Sequence, residues 1–266
     1  MLRSQIDCKG FSANNTPIFF EIKTRAVAPI RYDVWNYTRY LDYDVTSLNG
    51  KHSSYEREFY DLIRGAFLKY IFQLKIGGMD GALVSYHNTQ KIFGFEYVKL
   101  EDMERRVFGN TKFSDIIFKA SLKMMEETLD HIINDFPNEK ELIIGIFANE
   151  WKGTLDIFVE TIKESDYKDL DKYNFKEIID YYKISGFIPK VYKYSVIATP
   201  ILNNVSTTFS PILYENYDNY SVKYKIQYLG EPPFDEYMKF VHESAYITDS
   251  LNLENQFSGS WSLSYG

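Results

Sequence analysis

The chain has 266 residues, 45% of them hydrophobic and 25% charged, and a formal net charge of −7. That composition excludes a mostly disordered protein, no apolar run approaches the ~20 residues of a membrane-spanning helix, and the length fits one large domain or a domain with a lobe. The single cysteine, Cys8, excludes an internal disulfide and a thiolate zinc cage, so with only His52, His87, His131 and His242 to add, a metal site is expected to rest on carboxylates.

The chain enters on Leu2–Asp7, a short strand. A polar loop with Gly10, Ser12, Asn14, Asn15 and Pro17 separates it from Ile18-Phe19-Phe20-Glu21-Ile22-Lys23, and the two strands read as a hairpin. A helix of about 20 residues over 55–76 is predicted next, with Ser53 and Glu56 at capping-box spacing and Phe59, Ile63, Ala66, Phe67 and Tyr70 as its apolar stripe. Gly77-Gly78 ends it and Asp80-Gly81 is turn chemistry. Ala82–Tyr86 and Ile92–Val98 read as a strand pair across a turn at His87-Asn88.

Further along, Phe113–Ile133 reads as a helix, and Glu141–Phe147 and Thr154–Ile162 as strands. The charged run Glu164–Glu177 is a solvated helix or loop. Val191–Leu202 and Tyr220–Leu229 suggest a long two-stranded element, followed by a short helix at Phe234–Ala245. The expected class is α/β, or α+β with a mixed sheet: a core over residues 1–110, an α+β lobe packed on it over 111–247, and a polar tail over 248–266.

Charge is unevenly placed. Residues 1–75 carry a local +3 and the rest a local −10. Arg3, Arg25, Arg31, Arg39, Arg57 and Arg64 all fall in the first quarter, and only Arg105 and Arg106 follow. Guanidinium suits bidentate phosphate contacts, so a polyanion site belongs in this stretch; solvated surface is the alternative.

Side chains alternate across a strand, so Glu21 and Lys23 project from one face while Ile22 enters the opposite layer. A hairpin register that sets Asp7 beside Glu21 brings two carboxylates together with a lysine one step away. Two carboxylates and a backbone carbonyl make a partial shell for Mg²⁺, and the ammonium of Lys23 could hold the attacking water. An acidic residue two positions before a lysine occurs four times in the chain, so the spelling alone is weak. Only Glu21/Lys23 ends an apolar strand within the arginine-rich quarter, with a strand-borne acid upstream; a surface salt bridge is the other reading. On the helix, Tyr70 and Gln73 are i, i+3 neighbours; Tyr70 fits the core stripe, whereas Gln73 could contact phosphate or a bound water.

An aspartate ending one strand, Glu-x-Lys on the next, and a helix with basic and amide residues resemble the PD-(D/E)XK nuclease superfamily. Longer strings are similar to the fungal mitochondrial RNA 5′-end processing proteins of petite phenotype: Leu2-Arg3-Ser4-Gln5-Ile6-Asp7, Glu21-Ile22-Lys23-Thr24-Arg25-Ala26-Val27, Ile30-Arg31-Tyr32-Asp33, Phe67-Leu68-Lys69-Tyr70, Gly78-Met79-Asp80-Gly81 and Tyr86-His87-Asn88-Thr89. The likeness is dense over residues 2–98 and thinner to about 245.

The resemblance implies a metal-dependent mitochondrial nuclease trimming RNA 5′ ends in the 5′→3′ direction. It also implies peripheral association with the matrix side of the inner membrane, alongside the mitochondrial RNA polymerase. Asp7 and Glu21 would bind Mg²⁺ or Mn²⁺, Lys23 would be the catalytic lysine, and Arg25, Arg31, Arg64, Lys69 and Gln73 would hold RNA phosphates. Superfamily members usually place an acid-bearing helix and a strand before the first aspartate, so the chain is expected to be the C-terminal part of a longer protein. The alternatives are a catalytically weak regulator bound to the polymerase, and a structural matrix protein with no affinity for RNA.

Overall fold

The computed structural model describes residues 4–139, 142–149, 152–161, 190–207, 219–233 and 235–240. The chain divides into two compact units, with the division between Phe118 and Lys119.

The first unit is built on a four-stranded mixed sheet. β1 (Cys8–Phe11) and β2 (Pro17–Ala26) form the expected antiparallel hairpin, with Cys8 opposite Phe20. The turn closes through Asn15 N–H to the Ser12 carbonyl at 2.9 Å, and Asn15 itself sits at φ +57, a region asparagine tolerates. β1 begins at Cys8, later than the Leu2–Asp7 strand expected, because Asp7 Oδ2 accepts the Ile22 N–H at 3.0 Å. A side chain thus takes the donor that a longer β1 would have used.

β2 leads into α1 (Ala28–Tyr32), a 3-10 segment (Val34–Tyr40), α2 (Tyr55–Gly65) and α3 (Phe67–Gly77). The single 20-residue helix expected here is two. Ala66 leaves helical geometry at φ −138, ψ −26, directly after Gly65, the residue least committed to a helix. The cap is Ser54, whose Oγ accepts the Arg57 N–H at 3.1 Å, whereas Ser53 is turned to φ +49. Gly78 closes α3 in the left-handed conformation as predicted.

β3 (Gly81–His87) then runs parallel to β2, pairing Glu21 with Ala82, Lys23 with Val84 and Arg25 with Tyr86. Asp80 does more than turn the chain. Its N–H donates to the Phe19 carbonyl and its Oδ2 accepts the Phe19 N–H, both at 2.7 Å, so it fixes where the parallel ladder starts. β4 (Ile92–Lys99) returns antiparallel, giving the order β1-β2-β3-β4, and α4 (Leu100–Phe108) follows. Ala82, Val84 and Tyr86 are buried while Leu83, Ser85 and His87 are half-buried, so the helices cover one face of the sheet. Leu62, Phe67, Ile71, Leu74 and Met103 supply the core on that face.

The second unit is an antiparallel sheet. β5 (Leu142–Asn149), β6 (Thr154–Thr161), β7 (Val191–Leu202) and the two-residue β8 (Val205–Ser206) pair in order, and β9 (Tyr220–Gly230) pairs with β7 along its length, as expected for that long element. Ile132 of α5 (Thr111–Asp135) packs with Ile157, Val159, Tyr194 and Val196 on one face. Phe158, Val191, Tyr237 and Phe240 form the core on the other. Lys193, buried, bridges Asp156 at 3.1 Å and Glu236 at 2.6 Å. Residues 235–240 are helical; the remainder of the Phe234–Ala245 expectation, the Glu164–Glu177 run and the 248–266 tail lie outside the described residues. The architecture is mixed α+β, and no described helix is long and apolar enough to cross a membrane.

Candidate active site

Glu21, Lys23 and Arg25 stand in a row on the face of β2 that the helices cover, each beside a buried β3 residue. Glu21 is only 3% exposed. Its Oε1 accepts from Lys23 Nζ and from Gln73 Nε2 of α3, each at 2.6 Å. Its Oε2 is buried and has no hydrogen-bond partner among the described residues. A buried carboxylate oxygen without a donor is costly, so the arrangement calls for a cation or donor at that atom.

Continuing the hairpin register one step past the Cys8–Phe20 pair sets Asp7 opposite Glu21. In an extended strand the N–H and C=O of one residue leave by the same edge. Since the Ile22 N–H meets Asp7, the Ile22 carbonyl faces that edge too. Among the described residues no group of three or more acidic, histidine or cysteine side chains could hold a metal by itself. Mg²⁺ does not need one: it takes one or two carboxylates and completes its shell with water and substrate phosphate. Asp7, Glu21 and the Ile22 carbonyl fit that demand, with Glu21 Oε2 as the atom that lacks any other partner.

The ammonium of Lys23 also lies 5.6 Å from the centre of the Tyr70 ring. Burial raises the Tyr70 phenol above its ordinary range, so it stays a neutral donor. Arg25 continues the row. Its Nη2 donates to the Asp61 carbonyl at 3.1 Å, while its Nε is buried without an acceptor among the described residues. Burial, and then the neighbouring Arg31, hold its guanidinium below the usual arginine range. Tyr86, its partner in the ladder, has a buried hydroxyl that likewise lacks a partner among the described residues. Two donors without acceptors, side by side, favour an anionic oxygen over a cation at this end of the row.

Arg31 is engaged internally as well: Nε donates to the Ala26 carbonyl at 2.7 Å, and Nη2 reaches Glu58 at 3.4 Å and Asp61 at 3.1 Å. Glu58, fully buried, accepts the Ala28 N–H with both oxygens at 3.0 Å, and desolvation raises its carboxyl pKa. For Asp61 burial acts in the raising direction, but hydrogen bonds from Tyr32 and Arg31 outweigh it and leave the carboxyl below its ordinary value. Arg64 and Lys69 are exposed on α2 and α3, with Arg64 lying 5.4 Å over the Tyr60 ring. Of the residues read from the sequence, then, Glu21, Lys23 and Gln73 are bonded together, Asp7 reaches the neighbouring backbone at Ile22, Arg25 stands two positions along β2, and Arg31 shares Asp61 with Arg25; Arg64 and Lys69 stand apart on the helices.

A protein family described as mitochondrial protein Pet127 matches residues 1–130, the stretch that carries every one of these side chains. That stretch of the chain resembles the Pet127 family and is just under half of its 266 residues. It is similar to the "mRNA degradation protein pet127, mitochondrial" of Schizosaccharomyces pombe, 31% identical over 172 residues, which are 64% of this chain and 33% of that protein. It is also similar to the "putative mitochondrial translation system component PET127" of Saccharomyces cerevisiae, 32% identical over 170 residues, 61% of this chain and 21% of that protein. The aligned stretches thus span a third or less of the length of these relatives. No solved structure matches the chain.

Within the matched stretch, sequence reasoning did not single out Tyr86, Asp61 or Glu58 as part of the site. Tyr86 meets Arg25 only through the parallel register, and Arg31 meets its acids across 27 and 30 residues. No short-range pattern carries either relation.

Proposed function

We propose that the chain carries the active site of a mitochondrial RNA-processing nuclease with a PD-(D/E)XK-like core, a metal-dependent hydrolase that trims RNA 5′ ends in the 5′→3′ direction. The observation behind this reading is the state of Glu21: Oε1 shared by Lys23 and Gln73, Oε2 buried without a partner. The fission yeast relative, named an mRNA degradation protein of the mitochondrion, supports the substrate class and the compartment.

Asp7, Glu21 and the Ile22 carbonyl would hold Mg²⁺ or Mn²⁺. When bound, such an ion supplies Lewis-acid activation of water and neutralises charge on the phosphoryl group. Lys23 orients the attacking water and stabilises the oxygens that gain charge in the transition state. Gln73 holds Glu21 so that Oε2 keeps its aim. Arg25, with the Tyr86 hydroxyl, receives a neighbouring phosphate, and Arg64 and Lys69 attract the strand electrostatically, so binding should weaken steeply with salt. Peripheral attachment to the matrix face of the inner membrane and work beside the mitochondrial RNA polymerase belong to the same reading.

The test is the decay of a 5′-labelled, monophosphorylated RNA with and without Mg²⁺ or Mn²⁺, comparing the chain with Lys23→Ala and Glu21→Gln. Metal-dependent release of label that both substitutions abolish supports the nuclease. Release that survives both places the activity elsewhere. RNA binding without release favours a second reading, a catalytically weak regulator of the polymerase; the small acidic complement of the site is what speaks for it.

A further inference from the structure

We propose that Tyr32 is a stacking platform for a nucleobase of single-stranded RNA, set beside the Glu21–Lys23–Arg25 row; this rests on the nuclease reading above. Tyr32 closes α1 and is 69% exposed. Yet it is anchored. Its hydroxyl donates to Asp61 Oδ2 at 2.9 Å, and Asp61 is a buried residue. The Arg31 guanidinium lies 5.8 Å from the ring centre and is itself held by Glu58 and Asp61. An aromatic ring fixed at its edge and still open to solvent loses little freedom when a base stacks on it.

Asp61 connects this platform to the row. Its carboxylate holds Tyr32 and Arg31, while its main-chain carbonyl accepts from Arg25. Arg25 in turn is two positions from Lys23 on the same strand face, roughly 6.8 Å along the strand. A phosphate at Arg25 would carry its nucleoside toward the Tyr32 side. Trp35, three positions on and 71% exposed, adds a second open ring to the same stretch. The open rings beside the Arg25 guanidinium, whose Nε has no acceptor among the described residues, suit a polyanion with π-faces more than an apolar protein surface.

The experiment measures binding of a 5′-fluorescein dodecauridylate to the whole chain by anisotropy, in EDTA so that nothing is cleaved. Tyr32→Ala should weaken binding roughly tenfold, within the range of one base–aromatic stack, while Tyr32→Phe keeps most of it. The two variants share the loss of the Asp61 hydrogen bond, so damage to the fold would appear in both and the ring's contribution only in Tyr32→Ala. Replacing uridines one at a time by an abasic nucleotide should reveal one position whose base matters for the wild type and not for Tyr32→Ala. A fully paired duplex should be indifferent to the substitution. Equal binding by wild type and Tyr32→Ala, or identical abasic profiles, would overturn the platform and leave the nuclease intact. No binding of RNA by the wild type would overturn both.

Discussion

Gln73 of α3 donates to Glu21 of β2 at 2.6 Å, on the same oxygen that receives Lys23, across 52 residues of sequence. On the proposed reading this amide holds the carboxylate so that its second oxygen stays available. Partners of metal-binding carboxylates typically contribute roughly 10- to 100-fold to affinity. Gln73→Ala should therefore weaken Mn²⁺ binding by about that factor. Titration followed by calorimetry or by the Mn²⁺ spin signal checks it, and unchanged affinity would remove Gln73 from the site.

The pair Lys23–Glu21 predicts an asymmetry in stability. Their side chains are 17% and 4% exposed. Lys23→Ala leaves a buried carboxylate without its cation and should cost about 3 kcal/mol of unfolding free energy. Glu21→Gln removes the charge instead and leaves Lys23 able to reach solvent, so about 1 kcal/mol is expected. Urea unfolding of both variants decides it; losses below about 1 kcal/mol in both would mean that the pair is worth only what a surface salt bridge is.

The hairpin was legible because a turn rich in asparagine and serine precedes the apolar β2, but its first strand, Cys8–Phe11, lies beyond the Leu2–Asp7 segment expected, because the Asp7 side chain takes the Ile22 N–H. Glu21 and Lys23 share a face for the reason given by strand alternation. Gly78 ends α3 because glycine enters the left-handed region freely. The break at Ala66 was hidden, since neither Gly65 nor Ala66 forbids a helix; tertiary contacts decide. The arginine cluster read as a phosphate surface, yet Arg25 and Arg31 are bonded to α2, because charge counts carry no information about partners 30 residues away. Asp80 looked like a turn residue alone, and only the sheet reveals its clamp on Phe19.

At Gly81 the requirement is space. A Cβ there would lie 2.5 Å from the Val98 carbonyl oxygen and 2.7 Å from the Tyr97 hydroxyl. The carbonyl belongs to the backbone of β4 beside the Ala82–Val98 pair, so it cannot swing aside as a side chain could. Gly81→Ala should thus push β3 from β4 and cost about 3 kcal/mol. Because Gly81 pairs with Phe20, next to Glu21, the substitution should also lower any metal-dependent activity. A melting temperature equal to that of the wild type would show that the strands give way freely.

His87 closes β3 half-buried, with Nδ1 accepting the Thr89 N–H at 3.0 Å. An accepting Nδ1 carries no proton, and desolvation lowers the imidazole below its ordinary value of 6.5. The folded state therefore binds the proton less readily than the unfolded one. The contribution to stability is complete above about pH 6.5 and is lost as pH falls from there through the depressed folded value. His87→Gln, whose side chain does not titrate, should flatten that part of the profile while leaving Tm near pH 8 the less affected. Thermal melts of both proteins between pH 8 and pH 5 measure the difference, and parallel curves would show that protonation of His87 is not linked to folding.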